Sequence, residues 1–189
     1  NKNGGFNKAP KFPQASLLDL LLDVYRITKD KETRNMALLS LTSMAKGGLR
    51  DLIDGGFCRY STDNEWLVPH FEKMTYDNAL LSEVYLKAYH VSGDTFYKSV
   101  AFETLDFMLE NMREDALFYS ASDAVTEGEE GKYFVYTYEK SLKSFAKAGI
   151  PEKEHDALAK ALNITEEGNF NGKNIVRIDD PVKHSIPYY

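Results

Sequence analysis

The chain has 189 residues, 43% of them hydrophobic and 28% charged, with a formal net charge of -6. That composition belongs to a folded domain, and an acidic balance without a basic stripe excludes a nucleic-acid backbone as partner. No apolar run approaches the roughly 20 residues that span a bilayer, so no membrane association is expected.

The single cysteine, Cys58, excludes an intrachain disulfide framework and points to a reducing compartment, taken here as the cytoplasm. The chain opens on Asn1 rather than Met, and its native N-terminus is expected to lie upstream. Residues 1–13, NKNGGFNKAPKFP, are rich in Gly, Lys and Pro and form an irregular opening loop.

A helix is predicted over 14–28, with Leu17, Leu18, Leu21, Leu22 and Tyr25 at helical spacing. A second follows over 31–46, with Met36, Leu39 and Met44 on one side and Gly47-Gly48 as its stop signal. The short connection makes the two an antiparallel hairpin.

Residues 55–81, GGFCRYSTDNEWLVPHFEKMTYDNALL, crowd Arg59, Tyr60, Asp63, Trp66, His70, Glu72, Lys73, Tyr76, Asp77 and Asn78 into a loop and a helix start. Such density on a loop suits one wall of a polar, aromatic-lined pocket. Residues 57–60 and 66–68 are predicted to pair as a short hairpin around Thr62-Asp63-Asn64. Pro69 suits the first position of a helix running to about His90. Ser92-Gly93-Asp94 then forms a turn, with Asp94 capping a helix over 95–112.

The second long loop, 114–137, contains two predicted strands, 117–120 and 133–136, flanking the acidic segment ASDAVTEGEEG. A third helix pair is predicted over 139–148 and 151–162, then a Gly/Asn loop, GNFNGKN, and Ile175-Val176. The chain stops at Ile186-Pro187-Tyr188-Tyr189 without a closing helix. Helical hairpins recurring with long loops at one end signal a solenoid or a closed α/α toroid. The expected fold is therefore mainly α, part of a six-hairpin (α/α) toroid with short β-hairpins in its loops. Residues 1–189 would be a single partial domain, the N-terminal half of that ring.

A helix drawn from Pro69 at 100° per residue puts His70 and Asp77 on the stripe of Met74, Leu81, Tyr85 and Ala88. Glu72, Tyr76 and Ala79 fall opposite, with Glu83 and Lys87. His70 and Asp77 then either brace the loop, Asp77 reaching Lys73, or serve a site. In a site, the helix dipole would keep the His70 ring neutral. Glu72 and Tyr76 would face the lumen if the helix is buried on both sides.

Arg59 and Trp66 suit a polyol; the plainer alternatives are hairpin packing for Trp66 and a salt bridge to Asp63 or Glu65 for Arg59. Tyr60 and Asn78 complete this wall, and Tyr119 and Asp123 join from the second loop. Cys58 is either a nucleophile or a small buried hydrophobe. The acids Asp123, Glu127, Glu129 and Glu130 lack calcium-loop spacing and are taken as solvated, so no metal is expected. With no phosphate loop, zinc motif or nucleophile elbow, no cofactor is expected either.

Four segments in this order, GGFNKAPKFP, GGFCRYSTDNEWLVPHFEKMTYDNALL, FYSASDAVTEGEEGKYFVYT and GNFNGKNIV, resemble the thioredoxin-domain-containing proteins of the YyaL and spermatogenesis-associated type. The sequence departs from the pattern of that family at Val125-Thr126, where Asp-Ser is expected, at Thr75 for Leu, and at Asn171 for an acid. The resemblance implies a thioredoxin-like domain followed by a toroid similar to N-acylglucosamine 2-epimerases, of which this chain would supply the first half. It also implies half of a carbohydrate-binding, epimerase- or glycosidase-like pocket, inactive alone. In that pocket His70, Tyr76 and Asp77 would be catalytic. Arg59, Tyr60, Trp66, Glu72, Asn78, Tyr119 and Asp123 would bind substrate. The alternative is a non-catalytic scaffold or protein-interaction module associated with a thioredoxin-like domain. An open flank on a half-ring is expected to drive self-association.

Overall fold

A computed structural model describes residues 2–179 of the chain. The terminal Ile186-Pro187-Tyr188-Tyr189 lies outside the described residues.

The first hairpin joins α1, Ala15–Thr28, to α2, Lys31–Lys46. Asp30 caps α2 by accepting from the Glu32 and Thr33 N–H groups, which satisfies two of the donors every helix start leaves open. Leu18 and Leu22 are fully buried on α1. On α2 the buried side is Thr33, Ala37, Ser40, Leu41, Met44 and Ala45. Met36 and Leu39, expected to share a face with Met44, instead stay 47% and 44% exposed. Small residues set this face: Gly4 lies directly against the Ser40 backbone, and the Gly5 N–H donates to Ser40 Oγ at 2.8 Å. Closer packing on the small side turns the longer side chains outward.

The second hairpin joins α3, Thr75–Ser92, to α4, Thr95–Asn111. Gly93 ends α3 in the left-handed region, and Asp94 caps α4 through the Phe96 N–H. α1 packs alongside α3, so the two hairpins stand side by side. Lys87 of α3 pairs with Asp19 and Asp23 of α1. Tyr85 donates its hydroxyl to the Leu41 carbonyl at 2.7 Å across the buried centre.

The helix predicted from Pro69 begins only at Thr75. Pro69 lies instead in a strand, where a residue without an N–H is tolerated at an edge. β1, Tyr60–Ser61, pairs antiparallel with β2, Pro69–His70, in the register Tyr60 to His70 and Ser61 to Pro69. Asp63 holds the intervening loop by accepting from the N–H groups of Glu65, Leu67 and Val68. The chain stays extended through β3, Lys73–Met74, which is claimed by a strand from the second loop, β6, Ala121–Ser122. His70, Glu72 and Lys73 are therefore not helical, and the angular assignment of residues 69–74 does not hold.

In the second loop β4, Arg113–Glu114, pairs with β5, Leu117–Phe118, and β7, Val125–Thr126, pairs with β8, Glu129–Glu130. The strand expected over 133–136 is a 3₁₀ turn, Lys132–Phe134, followed by a bridge between Tyr136 and Asn174. The third helix pair is α5, Tyr138–Lys147, and α6, Glu152–Ala161. It closes over a small apolar cluster of its own, with Ala159, Ile164 and Val176 joined by Leu52, Tyr136 and Phe145.

Among the described residues the fold is thus mainly α, six helices in hairpins of the α/α-toroid type with short strands confined to the loops. Gly47-Gly48 stops α2 as expected, with Gly47 as its C-cap donating its N–H to the Ser43 carbonyl, and both glycines also allow close approach. A Cβ on either would strike the backbone carbonyl of Trp66 or Leu67.

Candidate functional site

Several side chains of the predicted wall hold the fold together. Asn78 is fully buried on the first turns of α3; its Oδ1 accepts from the Phe57 N–H at 2.6 Å, and its Nδ2 donates to the Phe57 and Met74 carbonyls. Lys73 is buried too, with Nζ 2.8 Å from both Asp51 Oδ2 and the Gly55 carbonyl and packed over the rings of Phe107 and Phe134. The expected reach of Asp77 to Lys73 is therefore replaced by Asp51.

Trp66 is fully buried and holds a positive φ of 64°, uncommon for so bulky a residue. Its Nε1–H donates to the Asn3 carbonyl, and Lys11 Nζ sits 4.1 Å from the ring centre. Its ring is thus covered by the opening loop and offers no face to a ligand. Burial pushes the Cys58 thiol up to about 12, so the residue is a small core group and no nucleophile.

What remains near the surface is a compact polar cluster where the β1–β2 hairpin meets the start of α3. Arg59 Nη1 donates to Glu72 Oε2 at 2.9 Å, a partner different from the expected Asp63 or Glu65. Glu72, and after it Tyr76, hydrogen-bond the Arg59 guanidinium and strengthen its hold on its proton. His70 Nδ1 lies 2.7 Å from Glu130 Oε1, and Nε2 lies 3.7 Å from Glu72 Oε2. The His70 ring stacks on Tyr60 at 5.0 Å, and Tyr60 stands 4.9 Å from Phe12. Among the described residues, Arg59 Nε and Asp77 Oδ2 are buried without a hydrogen-bond partner. Burial pushes the Asp77 carboxyl up to about 6, against the pull of Arg59 and Tyr76.

Tyr119 and Asp123 engage their own loop. The half-exposed Tyr119 bonds its hydroxyl to Glu114 and lends its carbonyl to the Thr75 hydroxyl. That last bond uses the hydroxyl that stands where the family pattern has Leu. Asp123 is exposed and accepts from the Val125 N–H at 3.0 Å.

Two members of the cluster were not predicted. Phe12 arrives because Lys11 exchanges backbone hydrogen bonds with Ser61, and Glu130 arrives on β8. Phe12 sits inside the GGFNKAPKFP motif, which is a usable signal; Glu130 had only its place in an acidic run. A cavity of about 20 Å³ lies beneath, lined by Asp51, Cys58, Phe71 and Tyr136 among others. A cleft of about 720 Å³ lies elsewhere, between Tyr25 and Lys29 of the first hairpin and Glu83, Lys87 and His90 of α3. Among the described residues no group of three His, Cys, Asp or Glu side chains could hold a metal ion. No described helix is long and apolar enough to cross a membrane.

No protein-family model matches the chain. Over 205 residues it is 36% identical to spermatogenesis-associated protein 20 of Rattus norvegicus, covering 95% of this chain and 26% of that protein. The Homo sapiens protein of the same name is 39% identical over 183 residues, covering 89% and 23%. The chain spans about a quarter of the length of these curated relatives. Among solved structures, a sugar epimerase from a ruminal bacterium superposes with a TM-score of 0.60 at 20% identity, over 86% of this chain and 48% of that one. A D-mannose isomerase gives 0.54 at 17%, over 67% and 33%. An inactive alpha-1,6-mannanase variant of Salegentibacter sp., in complex with alpha-1,6-mannotriose, gives 0.51 at 16%, over 84% and 47%. These likenesses are of fold.

Proposed function

We propose, from its homology to spermatogenesis-associated protein 20 and its sugar-epimerase-like fold, that the chain contributes one wall of a carbohydrate-binding, sugar-processing pocket. The observation that carries this is the cluster at the start of α3. A guanidinium, two carboxylates and an imidazole lie beside a ladder of aromatic rings. Hydroxyl-rich rings are recognised by this combination, charged hydrogen-bonding groups at the edge and aromatic faces below.

In this reading Arg59 and Glu72 fix ligand hydroxyls, Tyr60 and Phe12 offer the stacking face, and His70 exchanges a proton with the ligand. Asp77, next to Tyr76, is the carboxyl whose protonation follows pH near neutrality. The chemistry is epimerase- or glycosidase-like, and the chain spans about a quarter of the length of its curated relatives. The buried free thiol of Cys58 suits a reducing compartment such as the cytoplasm.

Calorimetric titration of the full-length protein with mono- and disaccharides tests the proposal. Binding by at least one, weakened about tenfold or more in Arg59→Ala and His70→Ala, is expected. Absence of binding by any saccharide, or binding indifferent to both substitutions, overturns it.

A second reading, a protein-docking module beside a thioredoxin-like domain, draws on the exposed apolar tips of the second loop. Leu117 is 76% exposed and Tyr133 54%. A stoichiometric protein partner retained by the full-length protein and lost on Leu117→Asp, without saccharide binding, would favour it.

A further inference from the structure

We infer that Glu130 is the positioning residue of His70, fixing the ring in the Nδ1–H tautomer so that Nε2 presents its lone pair toward the Arg59–Glu72–Tyr76 cluster. This rests on reading that cluster as the reacting site. Among the described residues the ring makes one hydrogen bond only: Nδ1 is 2.7 Å from Glu130 Oε1, whereas Nε2 is 3.7 Å from Glu72 Oε2, beyond donating distance. Glu72 Oε2 is already engaged by Arg59 at 2.9 Å. A carboxylate accepts only, so the proton of a neutral ring belongs on Nδ1. The charged and titratable groups facing the ring are Glu72 and Glu130, with Arg59 behind Glu72 and Tyr60 stacked on its face.

Glu130 is held in place. It pairs with Val125 across the β7–β8 hairpin, and the Gly131 N–H closes on the Ala124 carbonyl at 2.9 Å. Gly131 adopts φ +75° directly against the Phe71 ring, where any Cβ would collide. The residue after Glu130 is thereby seated on the core. The resulting order, carboxylate to Nδ1–H and free Nε2, is that of an oriented general base. A ligand O–H would pass its proton to Nε2 and keep the bonding pair on oxygen, while Glu130 would balance the imidazolium formed.

Selective 15N labelling of histidine lets NMR of the full-length protein near pH 8 read the tautomer, with His70 assigned by its loss in His70→Gln. The expected spectrum has a protonated Nδ1 and an unprotonated Nε2. Glu130→Gln, which keeps an acceptor, retains that pattern, and Glu130→Ala shifts the proton toward Nε2. An Nε2–H or doubly protonated ring in the unaltered protein, or a tautomer unmoved by Glu130→Ala, overturns the inference. Saccharide titration reads separately: binding with the wrong tautomer removes only the role of Glu130, and the right tautomer without binding removes only the carbohydrate reading.

Discussion

Asp77 lowers the stability of the cluster when it is charged. Its Oδ2 is buried without a partner among the described residues, and burial pushes its carboxyl up to about 6, above the usual carboxylate range. Between that range and about 6 the folded chain binds more protons than the unfolded one, so this residue makes stability fall as pH rises. Above about pH 6 the whole penalty stands, and below the unfolded value it vanishes. Asp77→Asn is therefore expected to stabilise the chain by about 1 kcal/mol at alkaline pH, after allowance for partial solvent screening. The gain should disappear in acid, and denaturant melts at several pH values would measure it. A pH-independent effect would show that Asp77 is solvated after all. The residue composition of the wall was legible in the sequence, but the division of labour within it was not. Trp66 and Asn78 look like ligand contacts by chemical type, and only burial shows that both are structural.

At the scale of elements, helices were legible and strands only in part, the expected strand over 117–120 being present at Leu117–Phe118 and the first hairpin forming in a shifted register. Helices α1 to α4 each run for three or more turns; α2 and α4 are capped by Asp30 and Asp94, and α3 is closed by Gly93. Every described strand is two residues long, too short for alternation to register. Pro69 shows the cost, since the same residue suits a helix start and a strand edge, and its pairing with Ser61, followed by that of Lys73–Met74 with the distant Ala121–Ser122, decided the outcome. The joint between the polar loop and α3 is Asn78. Asn78→Ala would strand the buried Phe57 N–H and carbonyl, and a loss of about 2–4 kcal/mol is expected. Urea unfolding would show it as a lower midpoint, and an unchanged midpoint would mean that the loop is anchored by Lys73 and Asp51 alone.

For the whole molecule, the repeat visible in the sequence is present in α1 to α4, while α5 and α6 close over an apolar cluster of their own. Their spacing resembles that of the other pairs, so nothing local distinguished them; the difference lies in what each packs against. Phe102, Leu105 and Leu109 lie along one stripe of α4 and are 40–47% exposed. A stripe of this kind favours association. Light scattering of the isolated chain should report a dimer or larger species, reduced toward monomer by Leu105→Glu with Leu109→Glu. A clean monomer from the unaltered chain would contradict this.

The seat of Trp66 has an optical consequence. It is the only tryptophan of the chain, and it lies where the opening loop, the end of α2 and the β1–β2 hairpin converge. Its indole is dry and lies beside an ammonium group, so its emission colour and intensity belong to that junction. The protein thus carries an intrinsic fluorophore at the foot of its polar loop. The release of that loop from the helices can be followed by emission without attaching a label.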